Sequence, residues 1–287
     1  MRWGDLRESE NIEDRRGSGG GGFRMGGAGG IGIGGLIIVG LLSWATGLDP
    51  RLILGGLEMV QGGGQSRQVE GTDGTPKDEI GKFVAAILGS TEDVWGDIFK
   101  QNGQTYQQPR LVLYSGATQT ACGMGQSAMG PFYCPPDRRV YLDTSFFREM
   151  EQRFNSPGDF ASAYVIAHEV GHHVQNLLGI LPRVSQERER SSPVEANQLS
   201  VRLELQADCF AGVWAARSKK SLEPGDIEEA LNAATAIGDD RLQRQSQGRV
   251  VPDSFTHGSS AQRVRWFKTG FDAGQVRACN TFAAQQL

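Results

Sequence analysis

Apolar positions along this chain recur with a helical period over most of its second half and with a two-residue period in two short runs. Asp159 to Leu178 is rich in Ala, Val, Leu and Ile with no internal Pro, and Gly179 follows as a stop, which predicts a buried helix. A second largely apolar helix is predicted from about Pro193 to Ala216. Asp78 to Leu88 and Thr91 to Lys100 read as two amphipathic helices divided by Gly89-Ser90. Thr144 to Phe154, Asp226 to Ile237 and Ser260 to Phe271 read as further helices, with Asp226-Ile227-Glu228-Glu229 resembling a capping box. Arg110 to Tyr114 and Arg139 to Asp143 read as strands, separated by a Gly-rich loop from Cys122 to Cys134. The expectation is a mainly helical α+β domain with a small β-sheet over residues 77–287.

The beginning of the chain has another character. Five arginines and five acidic residues are mixed in residues 1–24, and a glycine tract runs from Gly17 to Gly22, interrupted by Ser18. Such a composition buries too little apolar surface to fold, so residues 1–30 are expected to form a disordered tail. Met25 to Leu48 carries no charge. Residues 31–48 are expected to be a transmembrane signal anchor, about 27 Å long as a helix. A cleaved signal peptide, with Ser43-Trp44-Ala45 as a cleavage pattern, and a buried core helix are the competing readings. Residues 49–76 then read as a flexible linker. The excess of arginine before the segment places the N-terminus in the cytoplasm and the domain outside it, in a bacterial cell membrane.

A net charge of -4 and a pI near 5.7 do not suggest nucleic acid, and no interleaved basic and aromatic patch is present. All four cysteines, Cys122, Cys134, Cys209 and Cys279, follow the apolar segment. An even number in an extracytoplasmic domain predicts disulfides. Cys122 with Cys134 would close a short loop and Cys209 with Cys279 would tie down the C-terminal tail, but three pairings are open.

The chemistry concentrates in His168-Glu169-Val170-Gly171-His172. On a helix His168 and His172 share a face, and Glu169 falls close enough to reach a water held between them. A catalytic zinc site has three protein ligands and an open fourth position. Glu204 and Asp208, also four apart, lie in the second apolar helix. One of them is expected to complete the ligand set, and the other to orient a ligand histidine through its second ring nitrogen. His257, the histidine outside the metal helix, is a candidate donor to the transition state, with a packing role as the alternative. His173, about 100° round from His172, reads as a surface or outer group.

His168-Glu169-Val170-Gly171-His172 followed by Glu204-Leu205-Gln206-Ala207-Asp208 resembles zinc peptidases with a glutamate third ligand, such as the membrane-bound CAAX prenyl and heat-shock-type proteases. The chain more closely resembles the bacterial neutral zinc metallopeptidase family. That likeness includes Met1-Arg2-Trp3, Thr105 to Pro109, Gly130 to Cys134 and Pro252 to Gly258. It implies a zincin-like domain holding one zinc ion per chain on His168, His172 and Glu204, with Asp208 as the outer partner. It also implies Glu169 as general base and a protein or peptide substrate. In zinc peptidases of similar build an edge strand beside the metal helix binds the substrate, here the strand near Tyr133 or Val140. The reading from another class is a membrane-tethered assembly factor with a structural zinc. Neither reading specifies the oligomeric state.

Overall fold

The computed structural model describes residues 1–17, 71–127, 130–152 and 158–287. Its strands are β1 (Ile12–Asp14), β2 (Thr72–Asp73), β3 (Arg110–Tyr114), β4 (Ala117–Thr120), β5 (Gly123–Gln126), β6 (Phe132–Cys134) and β7 (Arg139–Asp143). Five of them form one sheet in the order β2-β1-β3-β7-β6, and β4 and β5 form a separate hairpin. The central pair, β3 and β7, is parallel, with Leu111 opposite Val140 and Leu113 opposite Leu142. These four side chains enter the main core, while Val112, Tyr114 and Tyr141 form a smaller cluster. The two-residue alternation of a strand accounts for that division.

The helices are α1 (Glu79–Gln101), α2 (Ser145–Gln152), α3 (Asp159–Leu177), α4 (Ile180–Arg190), α5 (Pro193–Arg217), α6 (Asp226–Ala236), α7 (Asp239–Gln247) and α8 (Ser260–Ala273). The mainly helical α+β expectation is thus met. Helix α5 starts with a reciprocal capping box between Ser192 and Glu195 and with Pro193 in its first turn. Helix α8 has the same device in Ser259 and Gln262. Helix α6 lacks the expected box: Gly225 caps it, and Glu229 instead accepts the N–H of Phe160 at the start of α3. Helix α3 runs through the middle of the core and is buried from Phe160 to Gln175.

The two helices expected on either side of Gly89-Ser90 are one continuous helix, α1. Gly89 is there for close approach: a Cβ on it would come within 2.2 Å of the Arg7 carbonyl oxygen. What lies against Gly89 is the start of the chain, which corrects the expectation of a disordered tail for residues 1–17, while 18–30 lie outside the described residues. Residues 1–17 belong to the same compact unit as the described residues from 71 to 287. Ile12 is fully buried, and β1 runs parallel to β3 with Ile12 opposite Leu111. The Ser9 N–H donates to the Ala85 carbonyl, and the Met1 ammonium donates to Asp226 at 3.0 Å. The mixed charges that argued for disorder are paired. Glu13 meets Arg15 and Arg139, and Arg16 bridges Asp14 and Asp78.

Residues 31–48 and nearly all of the 49–76 linker lie outside the described residues. Among the described residues no helix is long and apolar enough to cross a membrane. Strand β2 does fall at the end of that linker, and it pairs antiparallel with β1, Glu13 opposite Asp73 and Asp14 opposite Thr72. The chain therefore leaves this unit and returns to it at one place. A single crossing of a hydrocarbon core about 30 Å thick between the two strands would pull them apart. The residues on either flank of that segment are thus held side by side.

Two outcomes follow from the placement of β1. Ile12→Ala should lower stability by about 2–5 kcal/mol, read from the urea midpoint, because its methyl groups have no solvent-exposed alternative. In sealed membrane vesicles, cysteines introduced at the exposed positions Glu10 and Gln286 should be labelled from the same side. Protection of one position alone would contradict the β1–β2 pairing.

Candidate metal centre

Helix α3 carries three polar side chains into a region with little water: His168, Glu169 and His172 are each less than a tenth exposed. It meets α5 at Gly171, where a Cβ would contact the Ala207 backbone at 3.1 Å. Without a side chain at Gly171 the two helices approach closely enough for Glu204 to reach across. The Nε2 atom of His168 lies 3.2 Å from Glu204 Oε2, and Nε2 of His172 lies 3.5 Å from Glu204 Oε1. The candidate ligand atoms of these three residues lie within 4.8 Å of one another.

Both imidazoles have their other nitrogen occupied, so both Nε2 atoms are left for the space beside Glu204. Nδ1 of His168 lies 2.8 Å from Asp208 Oδ1. Asp208 is fully buried and also accepts from the Tyr164 hydroxyl at 2.5 Å. The Arg263 guanidinium donates to it through two nitrogens, at 2.8 and 2.9 Å. Burial alone would raise the Asp208 pKa, but Arg263 and His168 hold it down at about 2. Nδ1 of His172 lies 2.9 Å from the Gln175 side-chain oxygen. Two nitrogens and a carboxylate make a donor set that suits zinc.

Glu169 makes no hydrogen bond or ion pair among the described residues, and burial raises its pKa. His257 lies in the loop before α8. Asp239 fixes that loop by accepting from the N–H groups of Thr256, His257 and Gly258 through one oxygen. Its other oxygen lies 3.3 Å from His257 Nδ1. This leaves the half-exposed imidazole with Nε2 free among the described residues. Asp239 first, and then the field of Glu204, raise the His257 pKa against burial. His257 is thus brought within electrostatic reach of the cluster.

His173 is not on the surface. It is fully buried, facing the Tyr133 hydroxyl with Nδ1 at 3.0 Å and the Gln107 carbonyl with Nε2 at 2.6 Å. Burial pushes its pKa down to about 4, so the neutral ring packs α3 against β6. Among the described residues strand β6 has a partner on one side only, whereas β7 lies between β3 and β6. Of the two positions expected near a sheet edge, Tyr133 is on it and Val140 is interior. The cysteines pair as Cys122–Cys134 and Cys209–Cys279.

A sequence profile described as "Putative neutral zinc metallopeptidase" matches residues 1–282. The chain belongs to this zinc-peptidase family. A relative from Escherichia coli K12, "Uncharacterized protein YpfJ", is 56% identical over 98% of this chain and 99% of its own. "Uncharacterized protein Rv2575" of Mycobacterium tuberculosis H37Rv is 45% identical over 71% of each chain. No solved structure matches. In this member of the family, sequence reasoning missed Arg263, Tyr164, Gln175 and Asp239. Tyr164 and Gln175 sit one helical turn from His168 and His172, a usable signal. Arg263 and Asp239 come from distant segments and give none.

Replacing Arg263 with Met removes the main counter-charge of a fully buried carboxylate. The loss should be about 3–5 kcal/mol of stability, measurable by denaturant unfolding of the metal-free protein.

Proposed function

We propose that this protein is a zincin-like, zinc-dependent peptidase in which His168, His172 and Glu204 hold one zinc ion. The observation that carries this reading is the Glu169 carboxylate, unpaired among the described residues, on the helix that supplies both histidine nitrogens. Zinc in such a site lowers the pKa of water and polarises a carbonyl. Glu169 accepts the proton of the attacking water and returns it to the leaving nitrogen; the raised affinity of its carboxylate for a proton suits that exchange. His257, oriented through Nδ1 by Asp239, donates from Nε2 to the oxygen on which charge develops. The free edge of β6, held to α3 by the contacts of Tyr133 with His173 and Asn176, receives the peptide as an added strand.

The two disulfides favour an extracytoplasmic location. Attachment to a bilayer through residues 31–48 remains part of the proposal, with both flanks of that segment on the domain's side. The alternative, a tethered assembly factor with a structural zinc, needs a fourth protein ligand. Its weakness is that the described cluster has three.

The test is zinc content and cleavage of a peptide library by the full chain. Glu169→Gln should keep its zinc and lose about 10²–10⁴ in turnover. His257→Ala should keep its zinc and lose about 10²–10³. Full cleavage by Glu169→Gln would end its role as base. Bound zinc with no cleavage by any protein would favour the assembly factor.

A further inference from the structure

The two candidate ligand histidines are supported in unlike ways. His168 faces a buried ionic group, Asp208 with Arg263. His172 faces a chain of neutral amides. Its Nδ1 lies 2.9 Å from the side-chain oxygen of Gln175, which is fully buried. The Gln175 amide nitrogen donates to the Leu203 backbone carbonyl at 2.7 Å and to the side-chain oxygen of Gln206 at 3.1 Å. The Gln206 amide nitrogen donates in turn to the Cys279 backbone carbonyl at 2.9 Å.

This chain has a direction that its ends dictate. A backbone carbonyl only accepts, so the Leu203 and Cys279 oxygens force both amides to present nitrogen to them. Gln206 must then present oxygen to Gln175, and Gln175 must present oxygen to His172. An oxygen at that place requires a proton on Nδ1 of His172. The neutral ring is thereby fixed in the tautomer whose Nε2 lone pair faces Glu204. The last link is anchored, because Cys279 is bonded to Cys209 of α5 and the Thr281 hydroxyl donates to the Arg202 carbonyl.

We propose that Gln175 is a positioning residue that sets the tautomer and orientation of His172 for metal binding, and that Gln206 carries this constraint from the C-terminal tail. The proposal rests on the zinc-site reading above. It implies that the tail, whose residues touch no ligand, contributes to metal affinity through two glutamines. The two histidines also differ in what they need: one an ionic partner, the other a correctly turned amide.

Zinc affinity and the visible spectrum of the cobalt-substituted full chain test this, with unfolding of the metal-free form as control. Gln175→Leu, one atom shorter and without polar atoms, should bind zinc about 10–100-fold more weakly and shift the cobalt absorption. Gln175→Glu, which keeps an oxygen facing Nδ1, should recover part of the affinity. Gln206→Leu should show a smaller loss in the same direction, and it carries the comparison if Gln175→Leu does not fold. A folded Gln175→Leu or Gln206→Leu series with parental zinc affinity and parental cobalt spectrum overturns the proposal alone. A parent chain that takes up no zinc overturns it together with the peptidase reading.

Discussion

The buried carboxylate of Asp208 is the interaction on which most of the centre depends. It sits on α5 without solvent contact and holds groups from two other helices: Tyr164 and His168 of α3, and Arg263 of α8. A bare carboxylate at that depth would be untenable, and so would a bare guanidinium. Each is acceptable because the other is in place, which makes the relative position of three helices a condition of burying either one. The metal helix is therefore fixed from behind by electrostatics before any ion is considered. The same bond directs the Nε2 lone pair of His168 toward Glu204.

Around that anchor the centre is assembled from groups with separate supports. Gly171 gives α3 and α5 their close approach, so that Glu204 can face both histidines. His172 takes its orientation from amides, and His257 from a carboxylate that also organises three backbone N–H groups of its own loop. Glu169 alone among the site's polar side chains lacks a partner among the described residues. That absence matters chemically, since a carboxylate already committed to hydrogen bonds would be a poorer proton acceptor.

Residues 1–17 show where composition misleads. A count of apolar residues treats Arg7, Glu13, Asp14, Arg15 and Arg16 as evidence of solvation. In the fold they are joined to Glu92, Asp93, Arg139 and Asp78 from elements far along the chain. One buried isoleucine and a three-residue parallel strand suffice once β3 offers a ready edge. No local pattern in so short a strand could have disclosed it, because its partner is almost a hundred residues away. The arginine count behind the expected membrane topology likewise treated the first residues as free, and β1 holds them to β2 and β3.

What the sequence by itself determined is what depends on local spacing. The period of α3 put His168, Glu169 and His172 together, the spacing of Glu204 and Asp208 put both on α5, and alternation marked β3 and β7. The helical α+β class followed from the same periodicities. What only the tertiary structure decided is everything set by contacts between distant segments. It made Glu204 face the histidines while Asp208 stood behind His168, paired the four cysteines, and buried His173 against β6. It also brought Arg263, Asp239 and the Cys279 carbonyl to the site, and it made the first strand part of the sheet. Spacing along a helix is fixed by backbone geometry, so residues a few positions apart reveal their common face. Contacts across a hundred residues are fixed by packing and charge pairing, which leave no regular mark on the order of residues.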